Sequence, residues 1–276
     1  MSTATSKQTG LRRAVLLTVA ALSASAIACE REPSGRTVVV RGGHFLALDA
    51  EGRELPASAL PGSELRISDG EGRSQRLRID EVLDESEPAS PVGLYTLSRF
   101  DEAEQRWVPH CRSGPDGLTA ALPLPGHWSA DGSTFTEDLE GFGVTCSAGA
   151  NGKCMRMGYV PGLVVGGERL TPYFVACVRM MRADYCGDGR SHTEAGRPVD
   201  FIDRLGRQGL WHDGDKRFEA AWGVDGAICV ERTRVPEHTD LEQLGELCPR
   251  LRERASSPCS EDTIDDDASV LLVNRS

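Results

Sequence analysis

The chain has no cysteine between Cys29 and Cys111, no Cys-x-x-Cys pair and no close pair of histidines. The first absence leaves the N-terminal third to be held by packing alone. The other two remove the usual thiolate and imidazole frameworks for zinc. There is no Gly-x-Ser-x-Gly elbow to anchor a serine-hydrolase geometry, and no alternation of oxygen ligands, glycine and distant glutamate that would make a calcium loop. No apolar run reaches the roughly 20 residues that a membrane-crossing helix needs. A basic stripe with interleaved aromatics is also missing: 42 acidic residues stand against 31 basic ones, a net charge of −11. Such a surface repels nucleic acid, so no nucleic-acid partner is expected. No internal repeat or long low-complexity tract is visible.

What is present begins at the N-terminus. Lys7, Arg12 and Arg13 precede an uncharged, apolar-rich run from Ala14 to Ala28, the layout of a secretory signal. The run ends in Ala26-Ile27-Ala28-Cys29, small residues before a cysteine as in a lipobox, with Ala26 where leucine is usual. The expectation is a signal peptide over 1–28, a lipidated Cys29 and a short polar tether over 29–35. An ordinary secreted protein cut near Ala28 is the competing reading. Lipidation would make the membrane a partner through Cys29 and place the protein in the cell envelope. Glu30 stands where an aspartate marks inner-membrane retention in enteric bacteria, which points to the outer membrane.

Cysteine counting supports the lipobox independently. Nine is an odd number for an exported protein. Setting Cys29 aside leaves eight, namely Cys111, Cys146, Cys154, Cys177, Cys186, Cys229, Cys248 and Cys259, which suits four disulfides in an oxidising compartment. Spacing alone leaves their connectivity open; Cys248 and Cys259, which bracket a short helix and a Ser-Ser-Pro turn, are the one pairing it suggests. The mature chain would have 248 residues, 276 less 28, and would lose the three leader cations, giving a charge of about −14.

Strand signals fill 36–105. Val38-Val39-Val40 is β-branched, and Phe45, Leu46 and Leu48 follow Gly42-Gly43. Leu65 and Ile67 alternate with polar residues, Asp69-Gly70-Glu71-Gly72 turns the chain, and Leu77 and Ile79 alternate on the way back, a hairpin with one buried face. Leu94 to Phe100 and Arg106 to Val108 form another pair joined by Asp101 to Gln105. From Trp107 cysteine, glycine and proline become dense. Short strands are expected at Thr134–Phe135 and Phe142–Cys146, a loop over Ser147–Lys153, and a hairpin where Asp225-Gly226 joins Arg217–Trp222 to Ala227–Thr233. Thr171-Pro172 reads as a helix start, with Phe174, Cys177, Val178 and Met181 on the core face, Arg179 and Arg182 off it, and an end near Gly187. Leu241, Leu244, Leu247 and Leu251 form a second helical stripe from an Asp240 cap. The predicted fold is α+β and mostly β: short strands and hairpins, two short helices, and a disulfide-stapled C-terminal part. The predicted organisation is a β-rich segment over 36–105, a cysteine-rich domain over 106–260 and a solvated acidic tail over 261–276.

The densest stretch of chemistry runs from Ala176 to Asp203 and contains Ala183-Asp184-Tyr185-Cys186 followed by Gly187, Gly189 and His192. With Gly152-Lys153-Cys154, Gly158-Tyr159-Val160-Pro161, Phe218-Glu219-Ala220-Ala221-Trp222, Gly226-Ala227-Ile228-Cys229 and Cys248-Pro249-Arg250-Leu251, it resembles the ADYC domain over roughly Trp107 to Cys259. That resemblance implies a secreted or lipid-anchored setting of the kind found mainly in myxobacteria, and it supplies no catalytic residues.

Residue by residue, no catalytic, metal or cofactor assignment follows. His192 lies between Ser191 and Thr193 with Asp188 and Asp200 near in sequence, the arrangement on which a periplasmic hydrolase would depend. A loop histidine bonded to backbone explains the same residues. Asp184, Asp188, Asp200 and Asp203, or Asp213 and Asp215, are oxygen-ligand candidates for calcium, but Asp184 is better placed to pair with Arg179 or Arg182. The favoured function is a lipid-anchored, disulfide-stabilised envelope scaffold or binding module with an envelope partner that the sequence does not identify.

Overall fold

A computed structural model describes residues 36–68, 74–83, 91–138, 141–209, 214–254 and 259–276. The signal-like segment, Cys29, the tether, the Asp69–Gly72 turn and Asp213 lie outside the described residues.

Period-two alternation builds the first sheet where the sequence places it. β1 (Thr37–Arg41) and β2 (His44–Leu48) form a hairpin; β3 (Glu64–Ser68) and β4 (Ser74–Leu83) form another, with Leu65 opposite Leu77. β5 (Leu94–Asp101) pairs with β4 and turns back into β6 (Arg106–Pro109), the Asp101 carboxylate accepting from the N–H groups of Ala103 and Glu104 at 3.1 Å. β7 (Ala121–Leu124) and β10 (Gly143–Cys146) extend the sheet into the order β10-β7-β5-β4-β3, while β8 (Gly126–Trp128) and β9 (Phe135–Glu137) make a small separate hairpin. The division at residue 105 is therefore not a sheet boundary. The cysteine-rich part supplies β6, β7 and β10, and the Cys111–Cys146 bridge fastens the β10 edge. Phe45, Leu65, Leu77, Ile79, Tyr95 and Leu97 fill the core beneath, so that much of the lead segment rests on packing, as the missing cysteines require.

The predicted loop over 147–153 is instead largely helical. α1 (Ala150–Arg156) starts after Gly149 and buries Gly152, Cys154 and Met155, a face too narrow to leave a helical period in the sequence. A tertiary link holds it: Cys154 is bonded to Cys177 on α2 (Thr171–Arg182), which follows the two-residue strands β11 (Val164–Val165) and β12 (Glu168–Arg169). α2 begins where Thr171-Pro172 announces it, but the threonine does not cap. Its hydroxyl accepts from Gly162 N–H at 3.0 Å and donates to the Glu137 carboxylate. The helix ends before Gly187, at Ala183, whose left-handed backbone (φ 49°) returns N–H bonds to Arg179 and Met180. Phe174, Cys177 and Val178 face the core as expected; Arg179, expected outside it, is 3% exposed.

In the second sheet β14 (Phe218–Gly223) and β15 (Gly226–Val230) form the hairpin expected across Asp225-Gly226, but β13 (Asp200–Asp203) joins them only through a strand from the tail, and here the C-terminal reading fails. The leucine stripe is cut at Pro249 into α3 (Leu241–Leu247), with a capping box between Asp240 and Gln243, and α4 (Pro249–Arg254). Leu244 and Leu251 are buried, but Leu241 and Leu247 are exposed. The expected acidic tail then folds: α5 (Thr263–Asp266) leads to β16 (Leu272–Arg275), an inner strand in the order β13-β16-β14-β15. Asp265 and Asp266 do face solvent, but Val270, Leu272, Val273 and Asn274 are fully buried. Alternation explains both faces of this sheet. Ala220, Trp222 and Leu272 join the central core with Phe174 and Val178, while Ala221 and Val273 meet Ile264 and Val270 on the other side. The architecture is thus mostly β as expected, with five α-helices among the described residues rather than two.

The cysteines pair as Cys111–Cys146, Cys154–Cys177, Cys186–Cys248 and Cys229–Cys259. Cys248 does not take Cys259, the pairing that spacing suggested: each is bonded to a distant partner instead, Cys248 to Cys186 and Cys259 to Cys229.

If β16 is an inner strand, truncating Leu272 must leave a cavity. Leu272→Ala is expected to cost about 2 to 5 kcal/mol in urea unfolding, and Asp265→Asn less than about 0.5 kcal/mol. Equal midpoints for the two variants would restore the solvated tail.

Candidate functional site: the helix exit at Ala183–Cys186

The exit of α2 is where the motif residues do their work. Asp184, 1% exposed, accepts from Arg179 Nη1 at 2.5 Å and from the N–H groups of Asp188 and Gly189 at 3.1 and 3.0 Å. It thereby satisfies a buried guanidinium and fixes the loop that follows. Gly187 (φ +73°) and Gly189 (φ +84°) let that loop press against the backbone of Asp225 and Asp131, where a Cβ would collide. Cys186 is bonded to Cys248, which ties the loop to the junction of α3 and α4.

Tyr185 is buried with its ring stacked 5.3 Å from Trp222. Its hydroxyl donates to Glu219 Oε1 at 3.0 Å and accepts from Arg234 N–H at 2.8 Å. Burial, reinforced by the Glu219 charge, pushes its pKa far above that of an ordinary phenol. Glu219 is the centre of this arrangement. Arg234 donates to both its oxygens at 3.0 Å, Asn274 Nδ2 donates at 2.9 Å, and Asn274 Oδ1 in turn accepts from Trp222 Nε1 at 2.8 Å. The remaining Arg234 donors reach the carbonyls of Met180 (2.8 Å) and Met181 (3.2 Å) at the end of α2. A two-pronged, fully desolvated arginine–carboxylate pair is strong in geometry and costly to break. Sequence reasoning missed Glu219, Arg234 and Asn274. The available signal was a charged or amide residue inside an apolar strand run, Phe-Glu-Ala-Ala-Trp and Leu-Leu-Val-Asn.

His192 does not converge with Asp200. Its Nδ1 lies 2.8 Å from Thr239 Oγ1, whose own hydroxyl donates to the His238 carbonyl at 2.6 Å. That leaves the proton on Nδ1, and Nε2 buried without a partner among the described residues. Asp200, on β13, accepts from Lys216 at 2.8 Å. The calcium candidates are similarly dispersed: Asp184 serves Arg179, Asp188 accepts from Arg190 N–H at 3.0 Å, and Asp203 accepts from the Tyr159 hydroxyl and from the N–H groups of Arg207 and Gln208. Among the described residues, His110, Cys111 and Cys146 place potential ligand atoms within 4.8 Å of one another, but both sulfurs are consumed in one disulfide and offer no thiolate.

Beside the motif, on the far side of Asp184, lies a cleft of about 130 Å3 lined by Trp128, Gly132, Asn151, Val178, Arg179, Arg182 and Asp184. The Arg179 guanidinium sits 5.1 Å above the Trp128 ring and also donates to the carbonyls of Gly132 and Ser133. Near it the exposed Asp131, held by Ser129 and Ser133, has its pKa pulled down to about 2.

Two outcomes follow from these contacts. Glu219→Gln and Arg234→Met should each cost about 3 to 5 kcal/mol by leaving a buried charge unmatched. The double variant should cost clearly less than their sum in chemical denaturation, and additive costs would mean that the pair is not coupled. For pH, burial lowers the pKa of His44, His110 and His192 below 6.5; at His192, Asp188 and Asp184 oppose this without reversing it. The unfolded chain therefore binds protons near pH 6.5 that the folded chain takes up only at lower pH, so this contribution to stability is full above that value and is lost as pH falls below it. The melting temperature is expected to drop on acidification below pH 6.5, less steeply in His192→Gln; a rise over that interval would contradict the assignment.

A family model described as the ADYC domain matches residues 57–236, from the turn before β3 to just beyond Arg234. No curated protein and no solved structure matches the chain. The match covers well over half of the 276 residues and takes in α1, α2, the Ala183–Cys186 exit and the Glu219–Arg234 pair, so the chain belongs to the ADYC domain family.

Proposed function

We propose that this is a lipid-anchored, disulfide-stabilised cell-envelope protein that acts as a non-catalytic scaffold or binding module. The observation that carries the reading is the cysteine account. Four bridges use eight of the nine cysteines, and the ninth is Cys29, at the end of the lipobox-like Ala26-Ile27-Ala28-Cys29. Bridges of this number suit an exported protein. The non-catalytic part rests on the motif, where Asp184, Tyr185 and Cys186 are each engaged in a contact that fixes the fold. A periplasmic hydrolase would need His192 and a carboxylate aimed at one space; Asp200 is held by Lys216, and His192 by Thr239. Among the described residues no helix is long and apolar enough to cross a membrane.

A diacylglycerol on Cys29 would bring two acyl chains, enough for firm attachment where one is marginal. The outer membrane is the favoured location because Glu30 is not the aspartate that retains lipoproteins at the inner membrane of enteric bacteria. Cys29→Ser is expected to move the protein from the membrane to the soluble fraction with its thermal unfolding unchanged. Persistence in the membrane fraction would sink the anchor.

A further inference from the structure

We propose that the cleft between Trp128 and the end of α2 is a binding site for a small organic monocarboxylate. Its volume of about 130 Å3 is room for about four waters at about 30 Å3 each, or for a short-chain acid. Two guanidinium groups line it, and the Nε–H of each is buried without a partner among the described residues. For Arg179 the other nitrogens are already committed to Asp184, Gly132 and Ser133; for Arg182, Nη2 donates to the Gly189 carbonyl. Leaving a buried donor unmade beside a cavity is unfavourable, and an anionic oxygen is the acceptor that a guanidinium N–H pairs with most strongly.

Charge narrows the choice of ligand. Among the lining residues Asp184 balances Arg179, whereas the Arg182 acceptor is a neutral carbonyl, so the lining itself carries one net positive charge, with the exposed Asp131 carboxylate outside it. A carboxylate matches it. A dianion such as phosphate overcompensates and meets the Asp184 oxygens. The remaining walls are the Trp128 indole, whose Nε1–H is taken by Asn151 at 3.1 Å, and Val178, which suit a short alkyl body. Stacking over Trp128 and three hydrogen bonds hold Arg179 in place before any ligand arrives, which lowers the ordering cost of binding.

This assignment rests on the binding-module reading and gives it a ligand class. The test uses the full chain purified in detergent and follows the indole N–H resonance of Trp128 by NMR while sodium propionate, propionamide or inorganic phosphate is added. Propionate is expected to shift the resonance saturably with a Kd of about 1 mM, while propionamide leaves it in place and phosphate binds more weakly. Arg182→Gln is expected to weaken propionate at least about tenfold. No saturable propionate shift, an equal response to propionamide, tighter binding of phosphate, or unchanged affinity in Arg182→Gln would each overturn the proposal. If Arg182→Gln does not fold, the three-ligand comparison on the parent protein still decides. Membrane fractionation of Cys29→Ser is independent of this titration: release from the membrane together with failure of propionate to bind leaves the envelope reading standing and removes the carboxylate site.

Discussion

A carboxylate with no access to solvent sets the terms for the C-terminal half. Glu219 is fully buried, and an ionised group moved out of water without partners is among the costliest things a fold can contain. Its donors come from three places far apart in sequence: Tyr185 at the exit of α2, Arg234 after β15, and Asn274 on β16. None of these segments can dock independently of the others without stranding part of the carboxylate. The same requirement puts β16 in the middle of its sheet, since Asn274 must reach Glu219 with its nitrogen and Trp222 with its oxygen. Replacing such a cluster with apolar residues is often neutral for stability, so its contribution here is to specify which segments meet.

The covalent and ionic links around that centre make up for short elements. α3, α4 and α5 are each of seven residues or fewer, too short to persist in isolation. Cys186–Cys248 anchors the α3–α4 junction to the motif, and Cys229–Cys259 ties β15 to the segment that leads into α5. Arg250 completes the attachment, donating to the carbonyls of Tyr185, Asp225 and Ala227. This explains physically why Cys248-Pro249-Arg250-Leu251 works as a unit: the cysteine and the arginine grip the same loop, the proline restarts the helix, and Leu251 is buried.

How much was legible in the sequence depended on whether an element is defined by its own face or by a partner. β2 to β5 could be read because each sends alternate residues into a single core, and α2 because Phe174, Cys177 and Val178 recur at helical spacing. α1 could not, since its stability comes from Cys154 reaching Cys177. β16 was hidden because Val270 to Asn274 is buried on both faces and so shows no alternation, and because five acidic residues within Glu261 to Asp267 dominate the local composition. Arg179 was misplaced by the rule that arginines leave the core, which fails when a buried carboxylate and two carbonyls wait for it. The Asp184–Arg179 alternative could be seen at short range; Glu219 with Arg234 could not, because the bulged strand and loop between them decide whether they meet.

The four motif residues answer four separate local demands, which is why no single chemistry explains them. Ala183 must be small enough for full burial while adopting a left-handed backbone that costs a β-carbon roughly 1 to 2 kcal/mol. Asp184 must match Arg179 and the two amides of the glycine loop; Tyr185 must fill the space over Trp222 and place a hydroxyl between a donor and an acceptor; Cys186 must face Cys248. Once Asp184 is spent on Arg179, the electrostatic character of the adjoining cleft passes to Arg182, a residue just outside the motif that donates to the neutral, half-buried Gly189 carbonyl. The motif therefore builds the wall of the cleft and neutralises half its charge, and the recognition chemistry lies with the residues that the motif leaves unmatched.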